Sequence, residues 1–344
     1  MLKYKISKFL ICITFLQIVN FSSYANEVNI FTSRHYESDN KLYEIFKKET
    51  GIKVNVISGD AKALEKRILE EGKSSKADIF ITVDAGALGS AQNKGIFQEI
   101  NSKKLESAIP STFRTKYWFG ITKRARLIYY NPEKVKKEEI KNLSYEDLSD
   151  VKWKNRIVIR SSSHIYNLSL VSSLIENIGI NKTEIWLKNF VSNFAKEPEG
   201  GDREQILAVA SGEADIAIAN SYYIAIMLSG EKGEEQKIAA QKIKVLFPNQ
   251  NNRGTHMNIS GGGVLRYSPN KENAIKFLEF LLSKTAQQHF ADNTYEYPMI
   301  SNVKLNPLIQ QFGAEFKQDQ STKVEIYYKN QKTSLELMKL AGWK

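Results

Sequence analysis

The fold is decided by residues 28–83, which read VNIFTSRHYESDNKLYEIFKKETGIKVNVISGDAKALEKRILEEGKSSKADIFITV. Apolar runs at 28–32, 54–57 and 78–83 are typical of buried strands. The segments between them carry apolar residues at helical spacing, and Gly51 follows the first helix where a left-handed residue is favoured. This alternation of strands and helices predicts a parallel sheet with helices on both faces.

A second series of strands and helices begins at 156–159 and continues through a helix near 166–178 and a strand at 215–219. Two α/β units in one exported chain predict a two-lobe periplasmic binding protein fold (class II, venus-flytrap). Two extended segments, near Ile121 and near His256, are expected to form its two-strand hinge. We therefore expect an N-terminal lobe formed by 26–121 and 255–300. The C-terminal lobe would comprise 122–254 and 301–344.

The first 25 residues have the pattern of a secretory signal peptide. Three lysines precede an apolar run over 9–19, and small residues stand at positions 23 and 25. Gln17 and Asn20 interrupt the apolar run, which disfavours an uncleaved membrane anchor. Residues 1–25 are therefore predicted to direct the chain to the periplasm.

Composition and charge exclude several classes of protein. Lys and Arg number 49 against 38 acidic residues, and the net charge of +11 falls to +8 when the three signal-peptide lysines leave. The only cysteine, Cys12, leaves with them, so neither a disulfide nor a cysteine metal site is expected. Because the chain is exported, we expect no nucleic-acid partner. No GxSxG, HExxH, CxxC or Walker motif is present, so no enzyme is predicted.

Tyrosines follow three of the predicted strands. The chain has 16 tyrosines; Tyr36 follows the first strand, Tyr166 follows 156–159, and Tyr222 and Tyr223 follow 215–219. Ligands of open α/β sheets bind beyond the carboxyl ends of strands, where these side chains would meet. The competing interpretation is that each ring packs in the core with its hydroxyl at the surface.

Clustered phenols are suited to a small, highly charged cation that displaces the phenolic proton. Ferric iron meets this requirement, whereas calcium and magnesium favour carboxylate and carbonyl oxygens. Four phenolates around Fe³⁺ would leave one net negative charge, so a nearby cation is expected. Arg126, on the extended segment between the lobes, is one candidate, although it could equally be a surface arginine beside Lys123 and Arg124.

Several segments resemble the ferric-iron-binding periplasmic proteins of ABC importers, in particular the tyrosine-rich FutA-like (IdiA-like) branch. The similar segments, which run over most of the chain after residue 25, are 28–54, 77–80, 153–157, 208–215, 220–223 and 254–256. The resemblance implies that Tyr36, Tyr166, Tyr222 and Tyr223 are the iron ligands. It also implies that Arg126 is the arginine that lies next to these ligands without binding the iron itself.

Another branch of that family uses His, Glu and two tyrosines with an exogenous anion. This chain keeps His35, but the carboxylate position reads Val83, followed by Asp84. This difference favours coordination mainly by phenolates. His35 is then a candidate direct ligand, a hydrogen-bond donor to one of the ligands, or a neighbour whose charge changes with pH.

The expected function is therefore that of a monomeric receptor that captures Fe(III) and delivers it to an inner-membrane ABC permease. One alternative is a binding protein for a small organic or anionic solute. The other is an exported hydrolase or transferase.

Overall fold

A computed structural model describes residues 26–313 and 315–344 of the chain. The predicted signal peptide and Cys12 lie outside these residues. In the described ranges, no helix is both long enough and apolar enough to cross a membrane.

The described ranges fold into α-helices and β-strands that alternate along much of the chain. The strands are β1 Glu27–Thr32, β2 Lys53–Ser58, β3 Ile79–Thr82, β4 Phe119–Tyr130, β5 Ile157–Val158, β6 Ile216–Asn220, β7 Lys244–Leu246, β8 Met257–Val264 and β9 Tyr297–Pro298. The helices are α1 Asp39–Thr50, α2 Ala61–Glu71, α3 Ala85–Asn93, α4 Lys103–Ala108, α5 Lys137–Ile140, α6 Ile165–Ile178, α7 Ile180–Ser192, α8 Asp202–Ser211, α9 Tyr222–Leu228, α10 Glu234–Gln241, α11 Lys271–Leu281, α12 Lys284–Asn293, α13 Pro307–Gln310 and α14 Ile326–Leu340.

The strands form a continuous path in the order β2-β1-β3-β8-β4-β6-β5, with β7 and β9 also paired to β4. In the first lobe, β1 lies parallel to β2 and β3, and β8 runs antiparallel to β3. In the second lobe, β6 lies parallel to β5 and antiparallel to β4. The predicted α/β two-lobe fold is confirmed.

The strand β4 belongs to both lobes. Its residues Phe119 to Ala125 pair with β8, whereas Arg126 to Tyr130 pair with β6. The change of partner falls between Ala125 and Arg126, close to the hinge segment predicted near Ile121. His256, the other predicted position, directly precedes β8. The exact lobe boundaries at 121/122 and 254/255 stay a prediction.

The glycine run in β8 lets three strands approach closely. A Cβ atom at Gly263 would lie 2.5 Å from the carbonyl oxygen of Tyr117, and one at Gly261 would lie 2.7 Å from that of Phe119. Only glycine fits at such distances. The glycine run therefore permits close approach of the neighbouring backbone.

Helix α6 begins close to the predicted position, and its N-cap is a histidine. Serine is the commoner residue at this position, and Ser161, Ser162 and Ser163 directly precede the cap. The N-cap is instead His164, whose Nδ1 accepts a hydrogen bond from the backbone N–H of Tyr166 at 3.3 Å. The serines are part of the preceding turn, where the hydroxyls of Ser161 and Ser163 contact each other at 3.0 Å.

The helix α14 packs against α6 of the second lobe and against α3 of the first. A Cβ atom at Gly89 of α3 would lie 2.4 Å from the Cβ of Tyr328 in α14. The helices therefore pack at a distance that only glycine permits at this position. This places α3, α6 and α14 side by side next to the interlobe site.

Candidate functional site

Three of the four predicted ligand tyrosines lie at the beginnings of two helices in the second lobe. Tyr166 is in the first turn of α6, and Tyr222 and Tyr223 open α9 directly after β6. The hydroxyls of Tyr166 and Tyr222 are 3.2 Å apart. The ring centroids of Tyr222 and Tyr223 are 4.3 Å apart. The structure thus brings these three side chains together.

Tyr36 approaches the same point from the first lobe. It lies in the loop between β1 and α1, beneath the guanidinium of Arg34, whose Cζ is 4.8 Å from its ring centroid. Burial and the carboxylate of Glu296 raise the pKa of Tyr36 well above its ordinary value, while Arg34 opposes the shift. Tyr166 and Tyr223 of the second lobe also raise this pKa.

Two phenols of the second lobe respond to their surroundings in a similar way. Burial raises the pKa of Tyr222 and of Tyr223 well above the ordinary value, and Tyr166 adds to both shifts, although a hydrogen bond with Tyr222 opposes the shift of Tyr223. These hydroxyls therefore keep their protons at neutral pH when no cation is present. A cation that binds there must displace those protons, which only a strongly polarising ion does.

Arg126 lies beside the tyrosines, but its charge is already paired. Its guanidinium forms a buried ion pair with Asp202 and donates to Asn167 Oδ1 at 2.9 Å and to Asn220 Oδ1 at 3.2 Å. Asn167 follows Tyr166 directly, and Asn220 precedes Tyr222 by two residues. Arg126 therefore connects the two helix starts that carry the tyrosines, and Asp202 offsets its charge.

Arg124 is the buried cation that the sequence did not single out. It is 1% exposed, and its Cζ lies 5.2 Å from the ring centroid of Tyr166. Its nearest carboxylate oxygens, on Asp84 and Glu296, are both 3.9 Å away, beyond hydrogen-bond distance. Within the described part of the chain, its Nε and Nη2 have no hydrogen-bond partner. Because side chains alternate along a strand, Arg124 and Arg126 share a face of β4, a signal present in the sequence.

A buried network of charges holds the first-lobe side of the site. Arg34 donates to Asp39 and to Glu296, each at 2.9 Å, and to the hydroxyl of Ser260 at 2.8 Å. Although burial alone would raise the pKa of Glu296, Arg34 and Arg124 hold it below its ordinary value. Glu296 is therefore ionised at neutral pH and keeps Arg34 fixed above Tyr36.

Asp84 is the carboxylate next to the predicted family position, and it connects the two lobes. It is the N-cap of α3, where its Oδ1 accepts from the backbone N–H of Gly86 at 2.7 Å. The same oxygen accepts from the hydroxyl of Ser169 in α6 at 2.9 Å, and Oδ2 accepts from Asn258 at 2.8 Å. Burial raises the pKa of Asp84 to about 6, although Arg124 opposes the shift.

The two histidines near the site differ in their surroundings. His35 is exposed, its ring stacks on Tyr36 with centroids 5.4 Å apart, and its Nδ1 lies 3.4 Å from the carbonyl oxygen of Ser33. Its role as a ligand stays a prediction. His164, to which the sequence assigned nothing, packs edge-on against Tyr166 with ring centroids 4.4 Å apart. Burial and Arg160 lower the pKa of His164 to about 3, so it caps α6 as a neutral acceptor.

Hydroxyl oxygens, rather than clustered carboxylates or imidazoles, are the candidate cation ligands of this site. Among residues 26–313 and 315–344, no group of three or more His, Cys, Asp or Glu side chains is arranged to hold a metal ion. Candidate cation ligands are therefore the phenols of Tyr36, Tyr166, Tyr222 and Tyr223.

The two-lobe fold, with a site assembled from both lobes, defines a solute-binding protein. Residues 74–317 match the family of bacterial extracellular solute-binding proteins, and the chain belongs to that family.

Its relatives include proteins named for iron. The iron uptake protein A1 of Synechocystis sp. is 49% identical over 320 residues, which are 92% of this chain and 88% of the relative. The solved structure of Trichodesmium FutA (IdiA) with iron and citrate superimposes with a TM-score of 0.89 at 50% identity, covering 92% of this chain and all of that one. The ferric binding protein from Campylobacter jejuni superimposes with a TM-score of 0.85 at 39% identity, again covering 92% and 100%.

Proposed function

We propose that this protein captures Fe(III) in the periplasm through the phenolates of Tyr36, Tyr166, Tyr222 and Tyr223 and delivers it to an inner-membrane ABC permease. The observation that supports the proposal is the cluster of Tyr166, Tyr222 and Tyr223 in the second lobe, with the two hydroxyls of Tyr166 and Tyr222 3.2 Å apart, together with the influence of Tyr166 and Tyr223 on the pKa of Tyr36 in the first lobe. Phenolate is a hard, anionic oxygen ligand, which matches the preference of a small trivalent cation. The protein acts as a monomer whose task is differential affinity between open and closed lobes, without catalysis.

The relatives support the choice of ferric iron as the cargo. Those with the longest matches are named as iron uptake or ferric-iron-binding proteins, and one solved neighbour contains iron and citrate. The solved neighbour shares the two-lobe scaffold with this chain. Delivery to a permease follows from the role of solute-binding proteins in ABC import.

Arg124 supplies the cation that the charge balance requires. Four phenolates and one ferric ion carry one net negative charge, which is costly to bury alone. Burial lowers the pKa of Arg124, but the neighbouring tyrosines and carboxylates more than compensate and raise it above its ordinary value. Arg126 is paired with Asp202, which also lies 3.5 Å from Arg160, and it donates to Asn167 and Asn220, so we assign it the task of holding the two helix starts in place.

Iron would be released when the ion and its phenolate ligands no longer match in charge or in position. Reduction to Fe²⁺ weakens the bond to phenolate, and opening of the lobes removes Tyr36 from the other three ligands. Either event lowers the affinity without a change in covalent structure.

A titration with ferric nitrilotriacetate tests the proposal. Ferric phenolate gives a visible charge-transfer band, which we expect to appear at one equivalent of iron and to vanish with dithionite. Tyr223→Phe should shift or abolish the band. Tyr297→Phe is the matched control, because Tyr297 is buried and burial alone accounts for its raised pKa.

Three results would count against ferric phenolate binding. They are a colourless wild-type titration, a lack of thermal stabilisation by iron, and an equal loss of colour in both variants. Binding of citrate in the absence of iron would instead favour a receptor for small organic anions.

A further inference from the structure

We propose that the hydrogen bond between Asp84 and Ser169 is a latch that holds the two lobes together and positions Tyr166 opposite Tyr36. The term latch refers to this one contact, from the Ser169 hydroxyl to Asp84 Oδ1 at 2.9 Å. It involves none of the proposed iron ligands. The inference rests on the proposed function only in the experiment that uses the rate of iron loss to measure lobe closure.

Two hydrogen bonds within the first lobe hold the Asp84 side chain in place independently of Ser169. Gly86 in its own helix and Asn258 at the start of β8 each donate one hydrogen bond to its carboxylate. Asn258 is held in turn, because its Oδ1 accepts from the backbone N–H groups of Ala85 and Ile259. The carboxylate is therefore preorganised, with one lone-pair direction of Oδ1 left for a donor from the second lobe.

Ser169 ties this carboxylate to the helix that carries Tyr166. It lies three residues after Tyr166 in α6, and residues at this spacing share one face of a helix. Its side chain is buried, at 1% exposure, and Asp84 is its hydrogen-bond partner. When Ser169 contacts Asp84, the first turn of α6 is therefore held against the first lobe.

The latch favours the closed arrangement of the lobes, because water cannot replace the Ser169 hydroxyl there but can do so when the lobes are apart. In this structure Asp84 is 1% exposed, so its Oδ1 would lose one of its two donors without water to replace it, although Gly86 and Asn258 would still donate to the carboxylate. In separated lobes, water can replace the Ser169 hydroxyl at little cost. Deleting the hydroxyl therefore destabilises the closed arrangement and leaves the open one nearly unchanged. The expected consequence is a faster loss of iron with an intact ligand set.

The same helix offers a matched control. Ser173 lies one turn further along α6, is also 1% exposed, and within the described residues its hydroxyl has no hydrogen-bond partner. Ser173→Ala removes the same atom from the same helix without touching the contact between the lobes. Any general effect of the substitution on α6 should appear in both variants.

The first measurement is the rate at which loaded protein gives up iron to excess EDTA. Ser169→Ala should lose iron roughly tenfold faster than wild type, the change expected for one hydrogen bond to a buried charge. The position of the visible band should not change, since the ligands are intact. Ser173→Ala should stay within about twofold of wild type.

The second measurement needs no iron. The chain after residue 25 has no cysteine, so spin labels attached through Lys62→Cys in the first lobe and Lys182→Cys in the second report one distance. Ser169→Ala should move the distance distribution of the metal-free protein away from that of the closed form, and Ser173→Ala should not.

The latch is supported if Ser169→Ala alone releases iron faster or alone changes the distance distribution toward open lobes. It is overturned if the two serine variants agree in both measurements, or if Ser169→Ala retains iron longer than wild type. A wild-type protein that gives no band would refute ferric binding, and the metal-free distances would then decide the latch separately.

Discussion

Replacement of Asp84 by asparagine should change how the stability of the protein depends on pH. The carboxyl is buried among Gly86, Ser169 and Asn258, and burial raises its pKa from 3.8 to about 6, with Arg124 as the opposing charge. Its folded pKa therefore exceeds its unfolded pKa. The stabilisation from this group is complete below the unfolded value and is lost as the pH rises through 6.

The size of the effect follows from the two pKa values. A difference of about two units, at 1.36 kcal/mol each, corresponds to about 3 kcal/mol over the full range. Most of it, about 2 kcal/mol, falls between about pH 4 and pH 7.5. Asparagine does not titrate in this range. As the pH rises, the free energy of unfolding of wild type should therefore fall by this amount relative to that of Asp84→Asn. A pH-independent difference in stability between the two proteins does not affect this comparison.

Urea unfolding of the metal-free proteins at both pH values measures the difference. Asp60→Asn is the control, because Asp60 caps α2 as Asp84 caps α3, but its side chain is exposed. The gap in stability between wild type and Asp60→Asn shows what the same substitution does at an exposed cap. If the gap for Asp84→Asn changes with pH no more than the gap for Asp60→Asn, the Asp84 carboxyl is hydrated in solution, and the reasoning that places it in a closed contact with Ser169 is refuted.

Two further predictions concern charge and packing. Arg124→Met should increase iron loss to EDTA by roughly tenfold or more. Arg126→Met should lose up to about 3–5 kcal/mol of unfolding free energy, because the buried Asp202 loses its closest cation and is left with the longer contact to Arg160 at 3.5 Å. A larger loss of stability in Arg124→Met than in Arg126→Met would contradict the different roles assigned to the arginines. Gly89→Ala should cost about 1–3 kcal/mol, because the new methyl group would meet Tyr328 at 2.4 Å, and an unchanged urea midpoint would show that α14 moves aside freely. Ser90→Ala, in the same helix, should change stability by less than about 0.5 kcal/mol.

The sequence predicted the strands and the tyrosines well because both depend on local patterns. Apolar runs located β1 and β3, and residues that directly follow strands of a parallel sheet must meet at one edge. Tyr166, Tyr222 and Tyr223 are therefore adjacent, as expected, although their role as ligands stays a prediction.

The partners of charged side chains could not be predicted in the same way. The difference between Arg124 and Arg126 lies in Asp202, a residue 76 positions further along that pairs with only one of them. The contact of Asp84 with Ser169 spans 85 positions and two lobes. The capping role of His164 was missed because serine is the commoner N-cap and three serines precede it.

The number of residues between Arg124 and Arg126 in strand β4 is fixed by the face on which both side chains lie. Arg124 lies where β4 pairs with β8, and Arg126 lies where it pairs with β6, yet both side chains must emerge on the same face. One residue inserted or deleted between them would turn one guanidinium away from Tyr166 and place an apolar neighbour in the charged site. This segment should therefore not accept a change of a single residue in its length over evolutionary time.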